Sequence, residues 1–530
     1  MAEEQSKAQA GAKALSEPVR VGGVRGGGHA LRRGAGVAPH GRRRGRGGEA
    51  GRLELESEVL GVRVDGRALR VATFARGDDA AAAAARPATC GGGERRRERE
   101  REVVVEMESE EAAAAWGDAM RDRLASLGRP KRLFIIVNPY GGKRGGRKIF
   151  QTEVLPLIEA AGILYTMQET KHRLHAQEIA HSLDLRKYDG IVCVSGDGVL
   201  VEVVNGLLQR EDWNTAIKIP LGIIPAGTGN GMVQSLVHFA GESFSVYNAV
   251  LAIIRGKSLP PPPQSPRLTF CCTGHKRPLD VTSVVQGKTR FFSVLMLTWG
   301  LVADIDIESE KYRWMGSARL DFYSLLRVVS LRRYNGRVLF VPAPGYEGLG
   351  DLVEQISSCK SNGASTGVQE DRSNDFNDET CAYAGPSIDE ADHEWRSLDG
   401  PFVSVWVSGV PFASENVMTA PEAKFGDGYL DVAIIKDCPR SALAGLMFQM
   451  KDGSYVKSPY VEYFKVKALR IEPGMRVGST TKGGIIDSDG EVIARGDGSH
   501  TGDEIEHLMA YGPPIQLTVD QGLATIFSPR

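Results

Sequence analysis

The stretch DGIVCVSGDGVLVEVVNGLL, residues 189–208, decides the fold because its character changes at one point. Its first part is a nearly continuous apolar run, as in a strand that is buried on both faces of a parallel sheet. After Ser195-Gly-Asp-Gly198, apolar residues continue at helical spacing. Asp197 therefore stands between two glycines at the point where a buried strand ends and a helix begins.

Strands and helices alternate on both sides of this stretch. Further apolar strands are LFIIVN (133–138), ILYTMQE (163–169) and IPLGIIPA (219–226), and each is followed by helical sequence. Helical crossovers between strands that are buried on both faces are typical of a parallel α/β sheet. The sequence therefore predicts an α/β nucleotide-binding domain over residues 129–257.

Three of these strands end in glycine-rich loops, which are NPYGGK (138–143), SGDG (195–198) and GTGN (227–230). The carboxyl ends of parallel strands meet at one edge of the sheet. Each loop also leads into a helix N-terminus, where backbone N–H groups favour anions. The sequence therefore predicts a phosphate-binding crevice. None of the three loops follows the G-x-x-x-x-G-K-[ST] or G-x-G-x-x-G pattern, and GKT at 287–289 is predicted to be a hairpin turn.

Asp197 is the candidate catalytic residue of this crevice. A carboxylate without side chains beside it can accept a hydroxyl proton or help to hold Mg²⁺, and phosphoryl transfer needs one such group besides positioning. The alternative role is an N-cap of the helix that starts near Val199, and the two roles are compatible. The metal ligands stay undefined, because Mg²⁺ in such sites is held largely by phosphates and water.

The N-terminal part of the chain divides by composition. Residues 1–50 are rich in Gly, Arg and Ala and are predicted to be disordered. Residues 51–128 predict a small β-plus-helix domain, similar to a pleckstrin-homology domain and interrupted by low-complexity sequence. Its helix is predicted to start at the N-cap Ser109 and to stop at Gly128.

Beyond the α/β domain, residues 258–276 are an irregular insert, as typical of a retained intron as of a real loop. Residues 277–530 predict an antiparallel β-rich domain, in which LVADIDI (301–307) is one of several adjacent strands. Within it, the acidic segment 346–399 is predicted to be a disordered surface loop. The fold class is therefore α/β plus β, with a small β-plus-helix domain at the N-terminus.

The totals exclude several classes of protein. With 65 basic and 66 acidic residues the formal net charge is -1, which argues against a charge-driven contact with nucleic acid. The seven cysteines are scattered, as in a reduced intracellular protein. The longest apolar run, residues 291–303, is shorter than the roughly 20 residues that span a bilayer. We therefore expect a cytoplasmic protein with peripheral contact to intracellular membranes.

The three loops resemble those of the diacylglycerol-kinase-like lipid kinases. That family carries a Gly-Asp-Gly loop, a PAG[ST]GN loop and an NPxGG[KR] loop, which stand here as SGDG, PAGTGN (225–230) and NPYGGK. Ser195 before Gly-Asp-Gly and the stretch WGLVADIDIESEKYRWMGSARLD (299–321) favour the sphingosine (long-chain base) kinase branch of the plant type. The resemblance covers residues 129–257, 277–345 and 400–515.

The resemblance implies a kinase that uses ATP and Mg²⁺, with Asp197 as general base. It implies that Arg313 and Arg319 reach the phosphates. The other implied nucleotide contacts are Asn138, Gly141, Gly142, Lys143, Thr170, Ser195, Gly196, Gly198, Glu202, Gly227, Thr228, Gly229, Asn230, Asp489, Gly490 and Glu491.

The resemblance also implies the lipid site, which lies in the β-rich domain. Asp306 would pair with the ammonium group of the substrate, whereas the residues alone favour a charged strand end with local ion pairs. SALAGLMFQM (441–450) has an apolar helical face, which is usually core and which closes the lipid tunnel in this family. The residues on that face are Leu443, Leu446, Met447 and Met450.

The expected reaction transfers the γ-phosphate of ATP to the primary hydroxyl of a sphingoid long-chain base. One alternative is a ceramide or diacylglycerol kinase, whose substrates have no cationic amine. Another is a non-catalytic, lipid-responsive interaction protein that is damaged by the 258–276 insert. The expected partners are the lipid substrate and a membrane surface, without nucleic acid, and the oligomeric state is open between a monomer and a homodimer.

Overall fold

The protein is described from a computed structural model. The structure describes residues 59–74, 100–129, 131–141, 145–255, 276–315, 318–353, 383–386, 393–496 and 509–529. Several features that were predicted above lie outside the described residues, namely the tract 1–50, Gly142, Lys143, residues 258–275 and the side chain of Arg313.

The described residues form the following elements. The helices are α1 (Glu110–Ser126), α2 (Gly146–Ile149), α3 (Leu155–Ala160), α4 (His175–Ser182), α5 (Asp197–Leu208), α6 (Trp213–Ala216), α7 (Gly231–Ala240), α8 (Val246–Arg255), α9 (Leu301–Glu308), α10 (Ala318–Val329) and α11 (Arg440–Gln449). A π-helical turn (Phe150–Val154) joins α2 to α3, and 3₁₀ turns occur at Leu185–Lys187, Ser309–Met315 and Ser454–Lys457.

The strands follow the same order along the chain. They are β1 (Val59–Asp65), β2 (Ala68–Phe74), β3 (Glu100–Glu106), β4 (Arg132–Val137), β5 (Leu164–Glu169), β6 (Gly190–Ser195), β7 (Leu221–Pro225), β8 (Lys276–Gln286), β9 (Thr289–Ser293), β10 (Met296–Gly300), β11 (Tyr334–Pro342), β12 (Asp351–Leu352), β13 (Arg396–Asp399), β14 (Phe402–Ser408), β15 (Phe412–Ser414), β16 (Val417–Met418), β17 (Leu430–Lys436), β18 (Val461–Arg476), β19 (Ile485–Ser488), β20 (Glu491–Arg495) and β21 (Ile515–Phe527).

The first three strands and α1 form a small β-plus-helix unit. β1 and β2 are antiparallel and join at Asp65-Gly66, where Gly66 has φ +55°, and β3 pairs with β2. Oγ of Ser109 accepts a hydrogen bond from the N–H of Ala112 at 3.1 Å, so Ser109 caps α1 as predicted. The unit contacts the α/β domain through Arg63, whose Nη2 donates to the carbonyl of Glu159 at 3.2 Å.

Strands β4 to β7 form the predicted parallel sheet in the order β5-β4-β6-β7. β6 and β7 are buried along their whole length and β4 is buried apart from Arg132, as expected for strands that are covered on both faces. The three glycine loops follow β4, β6 and β7, which are neighbours. The loops therefore meet at one edge of the sheet, and Thr170 joins them there from the end of β5.

The β-rich domain continues into this parallel sheet. β14, β17, β18 and β21 pair in that order and are antiparallel. β21 then pairs with β7 in parallel, with Ile526 opposite Leu221. One continuous sheet therefore connects the two domains. The hairpin of β8 and β9 turns at Gly287, which has φ +59°, as predicted for GKT.

Residues 301–307, which were predicted to be a strand, are helical. α9 begins directly after Gly300, whose φ of +93° ends β10. The alternation of Ile and Asp favoured a strand, but Leu301 and Ile305 lie four residues apart, and both pack into one buried apolar cluster. The helix also brings the buried carboxylate of Asp304 to the hydroxyl of Tyr334, which donates to it. Tertiary packing therefore overrides the local pattern.

Two parts of the acidic segment 346–399 are strands, which corrects the expectation of a disordered loop for these residues. β13 pairs with β11 and β12 pairs with β13. Trp395, next to β13, is buried. These strands are short and have few apolar residues, so the charged residues around them dominate the composition. Composition alone therefore did not predict them.

Candidate active site

The SGDG and GTGN loops touch each other through backbone atoms. A Cβ atom added at Gly227 would lie 2.3 Å from the Cα of Gly196, and one added at Gly231 would lie 2.4 Å from the carbonyl oxygen of Phe412. Only glycine permits so close an approach of two backbones. At Gly198, in contrast, an added Cβ would meet no atom of the described residues within 4 Å. Close packing therefore explains Gly196 and Gly227, whereas Gly198 leaves open space beside Asp197.

Asp197 is the first residue of α5, and Gly196 occupies the N-cap position. The carboxylate accepts two hydrogen bonds from another helix: Oδ2 from the N–H of Gly231 at 2.7 Å and Oδ1 from the N–H of Met232 at 3.2 Å. Asp197 therefore caps the N-terminus of α7 and not that of its own helix, which corrects the role considered above. The carboxylate lies between the positive ends of two helices.

The protonation of Asp197 changes near neutral pH. Burial raises the pKa of this carboxyl to about 7, although the bonds from Gly231 and Met232 lower it, and the charge of Asp489 raises it further. A carboxylate whose pKa lies near the working pH accepts a proton and releases it again readily. Its environment therefore suits a general base.

The turn DSDGE (487–491) brings a second carboxylate to this place. Asp489 has φ +53°, and its Oδ1 accepts from the N–H of Leu295 at 2.9 Å and from that of Met296 at 3.0 Å. These bonds connect the turn between β19 and β20 to the start of β10 and to the residue before it. Because the charge of Asp489 acts on Asp197, the predicted late nucleotide loop and the predicted base share one site.

Asn138 and Thr170 lie at the same edge of the sheet. Oδ1 of Asn138 accepts from the N–H of Tyr140 at 2.9 Å and from that of Gly141 at 3.2 Å, so the side chain shapes its own loop. Thr170 is buried, and its N–H donates to the carbonyl of Val137 at 3.0 Å. Both predicted residues therefore flank the end of β4.

Ser195 and Asn230 brace the other two loops. Oγ of Ser195 donates to the carbonyl of Gly196 at 2.8 Å. Oδ1 of Asn230 accepts from the N–H of Gly227 at 3.2 Å, and its Nδ2 donates to the carbonyl of Gly227 at 3.3 Å. Both side chains are buried and fix the shape of their loops, and Thr228 and Gly229 lie within the turn that Asn230 closes.

The charge of Glu491 acts on Glu202, and Glu491 also forms an ion pair that the sequence did not indicate. Oε2 of Glu202 accepts from the N–H of Ala176 at 3.0 Å, at the N-terminus of α4. Burial raises the pKa of Glu202, and the charge of Glu491 raises it as well. Nη2 of Arg173 lies 2.8 Å from Oε2 of Glu491, so a loop of the α/β domain bridges to the DSDGE turn. Arg173 belongs to no recognised motif, and its partner Glu491 is distant in the sequence, so this ion pair could not be predicted.

Asp306 lies in α9, close to the same turn. Burial raises the pKa of Asp487 well above its usual value, the charge of Asp306 raises it next, and that of Asp489 follows. The charges of Asp306 and Asp489 therefore act on Asp487, and that of Asp489 acts on Asp197, so these four residues form one carboxylate cluster. Asp487 belongs to the DSDGE motif but was not among the predicted site residues. Its spacing of two from Asp489, which is that of residues on one face of a strand, was the available signal.

Arg319 is buried near the start of α10. Its Nη1 lies 3.8 Å from Oε1 of Glu310. The contact of Arg319 and Arg313 with phosphates therefore stays a prediction.

The apolar face of α11 packs against the sheet of the β-rich domain. Leu443, Leu446 and Met450 are buried in one cluster with Trp406, and Met447 packs against that cluster from its rim. Phe448, on the other side of the helix, is 77% exposed. The helix thus covers an apolar layer beside α9, and its role as a lid stays a prediction.

No helix of the described ranges has both the length and the apolar character to cross a membrane.

Two known domain families match the chain. The diacylglycerol kinase catalytic domain matches residues 132–260, which include all three glycine loops. The YegS C-terminal NAD kinase beta sandwich-like domain matches residues 379–503, which include the DSDGE turn. Both matches agree with an α/β domain followed by a β-rich domain and confirm the predicted fold class.

Three similar proteins cover most of the chain. Sphingosine kinase 1 of Arabidopsis thaliana is 53% identical over 420 residues, which are 79% of this chain and 80% of that protein. Sphingosine kinase 1 of Homo sapiens is 33% identical over 66% of this chain and 84% of that protein. Ceramide kinase of Homo sapiens is 30% identical over 67% of this chain and 64% of that protein.

The high identity to the first of these proteins extends over most of both chains, and the three glycine loops fall within the matched catalytic domain. The chain therefore belongs to the sphingosine kinases, ATP-dependent lipid kinases that carry the diacylglycerol kinase catalytic domain.

Proposed function

We propose that this kinase transfers the γ-phosphate of ATP to the primary hydroxyl of a sphingoid long-chain base. The observation that carries the proposal is the carboxylate cluster, which contains both Asp197 and Asp306. A sphingoid base has an ammonium group on the carbon next to its primary hydroxyl, so it needs a proton acceptor and a counter-charge close together. The names of the Arabidopsis and human sphingosine kinases support the same class of substrate.

Asp197 acts as the general base in this proposal. Its carboxylate accepts the hydroxyl proton while the oxygen forms a bond to the γ-phosphorus, the bond from that phosphorus to the bridging oxygen breaks, and ADP leaves. The N-terminal ends of α5 and α7 face the carboxylate, and the glycine-loop amides beside them stabilise the charge of the phosphate in transfer. The open space at Gly198 gives the reacting groups room next to Asp197.

ATP lies against the sheet edge where β4, β5, β6 and β7 end. Mg²⁺ fits this place, because Asp489 is a buried carboxylate whose charge acts on Asp197, and carboxylate and phosphate oxygens are the ligands that Mg²⁺ prefers. When bound, Mg²⁺ neutralises phosphate charge. Arg173 and Glu491 join the two domains at this edge and hold them together around the nucleotide.

Asp306 distinguishes the proposed substrate from the alternatives. Ceramide and diacylglycerol have no cationic amine, so neither would make use of its charge. The test is a transfer assay with radiolabelled ATP on sphingosine, phytosphingosine, ceramide and diacylglycerol. We expect transfer to the two bases and, in Asp306→Asn, a loss of about tenfold or more in kcat/KM, as is typical of a lost charge-assisted contact.

Two outcomes would contradict the proposal. Transfer to ceramide or diacylglycerol, but not to a sphingoid base, would assign the enzyme to another substrate class. Binding of ATP without transfer to any of the four lipids would favour a non-catalytic, lipid-responsive protein.

We also propose that α10 contacts the membrane from which the substrate is drawn. This helix buries its polar stripe: Nη2 of Arg327 and the hydroxyl of Tyr323 both donate to Glu308, the latter at 2.7 Å. Its apolar stripe is exposed, including Leu325 at 65%. The exposed residues of this surface, termed the α10 face, are Phe322, Leu325, Leu326 and Val329.

A bilayer is the occupant that suits the α10 face. The four residues follow the spacing i, i+3, i+4, i+7, so they form one stripe. Trp314, before α10, and Phe448, on the neighbouring α11, are also exposed, at 81% and 77%. The stripe therefore lies beside the helix that covers the apolar layer, where a lipid would leave the membrane. Such an exposed apolar surface supports the proposed peripheral contact with intracellular membranes.

A homodimer is a separate proposal, supported by β5. This strand ends the described sheet and exposes Leu164, Tyr165 and Met167. Exposed edge strands with apolar side chains readily pair with another copy. The molar mass in solution, with Leu164→Lys as the variant, decides between monomer and dimer.

A further inference from the structure

Three side chains stand in a row across neighbouring strands of the β-rich domain. Asp487 of β19 is opposite Thr298 of β10, and Thr298 is opposite Trp406 of β14. Residues directly opposite each other in antiparallel strands project from the same face, about 5 Å apart. We term these three residues the polar row.

Each member of the polar row buries a polar atom without a hydrogen-bond partner among the described residues. These atoms are Oδ2 of Asp487, Oγ1 of Thr298 and Nε1 of Trp406, in side chains that are no more than 3% exposed. A buried polar atom without a partner is costly, and nearly all such atoms in proteins are paired. Three on adjacent strands and on one face indicate a place where a ligand supplies the partners.

The position of the polar row relates it to the lipid. At one end, Asp487 belongs to the carboxylate cluster, in which the charge of Asp306 acts on it. At the other end, Trp406 belongs to the apolar cluster that α11 covers, together with Leu443 and Leu446. The row therefore leads from the proposed ammonium site to the apolar layer that would receive the chain of the lipid.

The opposite face of the same strands has another character. Leu297 and Trp299, which flank Thr298, pack into a separate apolar core together with Ile486. The polar atoms are thus confined to the face that α9 and α11 cover. The packing of the sheet by itself does not require polar side chains at these positions.

We propose that the polar row recognises the hydroxyl group on C4 of phytosphingosine. This inference rests on the proposed function and names the member of the substrate class that the site fits. With the primary hydroxyl at Asp197 and the ammonium group at Asp306, the following carbons of the base extend along the row. Asp487 accepts a hydrogen bond, Trp406 donates one, and Thr298 does either, so together they satisfy hydroxyl groups beyond the ammonium carbon.

The test compares kcat/KM of the full-length protein for phytosphingosine and for sphinganine, which differ only in the C4 hydroxyl. We expect the protein to favour phytosphingosine by about tenfold or more, because an analogue without the hydroxyl leaves buried polar groups unpaired. Thr298→Val keeps the shape and removes the hydroxyl. It should bring the ratio to within about twofold of one through a loss on phytosphingosine alone.

Two further variants and a control accompany this comparison. Thr298→Ser keeps the hydroxyl and should keep the preference, whereas Trp406→Phe should lower it and provides the same readout if Thr298→Val does not fold. Thr518→Val removes a buried threonine of β21, which is separated from β14 by two strands, and should leave the ratio unchanged.

A ratio near one in the unaltered protein would overturn the inference, as would a ratio that both Thr298→Val and Trp406→Phe leave unchanged. Failure to phosphorylate either base would instead overturn the proposed function. The two failures are therefore distinguishable within one experiment.

Discussion

Oδ2 of Asp197 accepts a hydrogen bond from the backbone N–H of Gly231 at 2.7 Å, so the candidate base that follows one glycine loop holds the helix that follows the other. The two loops also touch at Gly196 and Gly227. SGDG and GTGN are therefore one structural unit, and a change in either loop displaces the carboxylate. This coupling has consequences that substitution can measure.

Gly227→Ala and Gly198→Ala should differ in stability but not in their loss of activity. The first places a Cβ 2.3 Å from a backbone atom of Gly196, so we expect it to cost about 1–3 kcal/mol of unfolding free energy. The second meets no described atom, so its unfolding temperature should match that of the unaltered protein, while the methyl group obstructs the reacting groups. Thermal unfolding and transfer assays on both variants test this contrast, and full activity of Gly198→Ala would contradict it.

The activity should depend on the ionisation of Asp197. Its pKa of about 7 predicts that kcat/KM rises with pH and reaches half of its maximum near that pH, since a base must be unprotonated. A rate profile on a sphingoid base measures this dependence. A profile that is flat through this range would contradict the assignment.

The stability should change with pH in the opposite direction. The pKa of Asp197 is raised from 3.8 to about 7, so the folded protein binds this proton more tightly than the unfolded chain. Its contribution to the unfolding free energy is present below pH 3.8 and is lost as the pH rises through about 7. Asp197→Asn should therefore gain stability relative to the unaltered protein as the pH rises. Denaturant unfolding of both proteins across this range checks the sign, and a difference that falls with pH would contradict it.

Arg173→Gln should weaken ATP binding. The ion pair of Arg173 and Glu491 joins the two domains at 2.8 Å, but both side chains are partly exposed, so the expected rise in KM for ATP is about two- to fivefold. The effect should shrink at high salt. Arg186→Gln removes a surface arginine that pairs with Asp184 and serves as the control. An equal KM for ATP in the two variants would contradict a role of this ion pair in ATP binding.

Leu325→Asp should reduce binding to vesicles of anionic phospholipid. The substitution places a charge at the centre of the α10 face, which costs little in the folded protein because Leu325 is exposed. Vesicle flotation should show a loss of about fivefold or more, since a carboxylate is costly at the apolar boundary. Leu352→Asp, another exposed leucine, is the control. Unchanged flotation of Leu325→Asp would exclude this surface.

The sequence predicted the α/β domain well because its information is local. The strands around Ile135 and Val192 are mostly apolar, and each ends in a loop whose glycines mark the crevice. The edge position of Asp197 followed from these features. Its partner helix did not, because a hydrogen bond between residues 197 and 231 depends on how two separate strands are placed.

The prediction of the β-rich domain was weaker because long-range contacts decide it. The alternation around Asp304 and Asp306 is typical of a strand, but burial of Leu301 with Ile305 makes it a helix. The bridge from Arg173 to the DSDGE turn joins two distant parts of the chain and leaves no pattern in either. Such contacts can be identified only in the folded structure, because no local sequence pattern predicts them.

The most direct test of the account is transfer by Asp197→Asn with ATP binding measured in parallel. The amide oxygen of asparagine can still accept one of the two bonds from α7, so the fold and the nucleotide loops should persist. We predict that turnover on a sphingoid base falls by about 10²–10⁴-fold, the range typical of a lost general base, while the Kd for ATP changes little. Asp212→Asn, at a surface carboxylate paired with Arg210, should retain full activity. Near-normal turnover of Asp197→Asn would contradict the central claim that this carboxylate accepts the proton of the lipid hydroxyl.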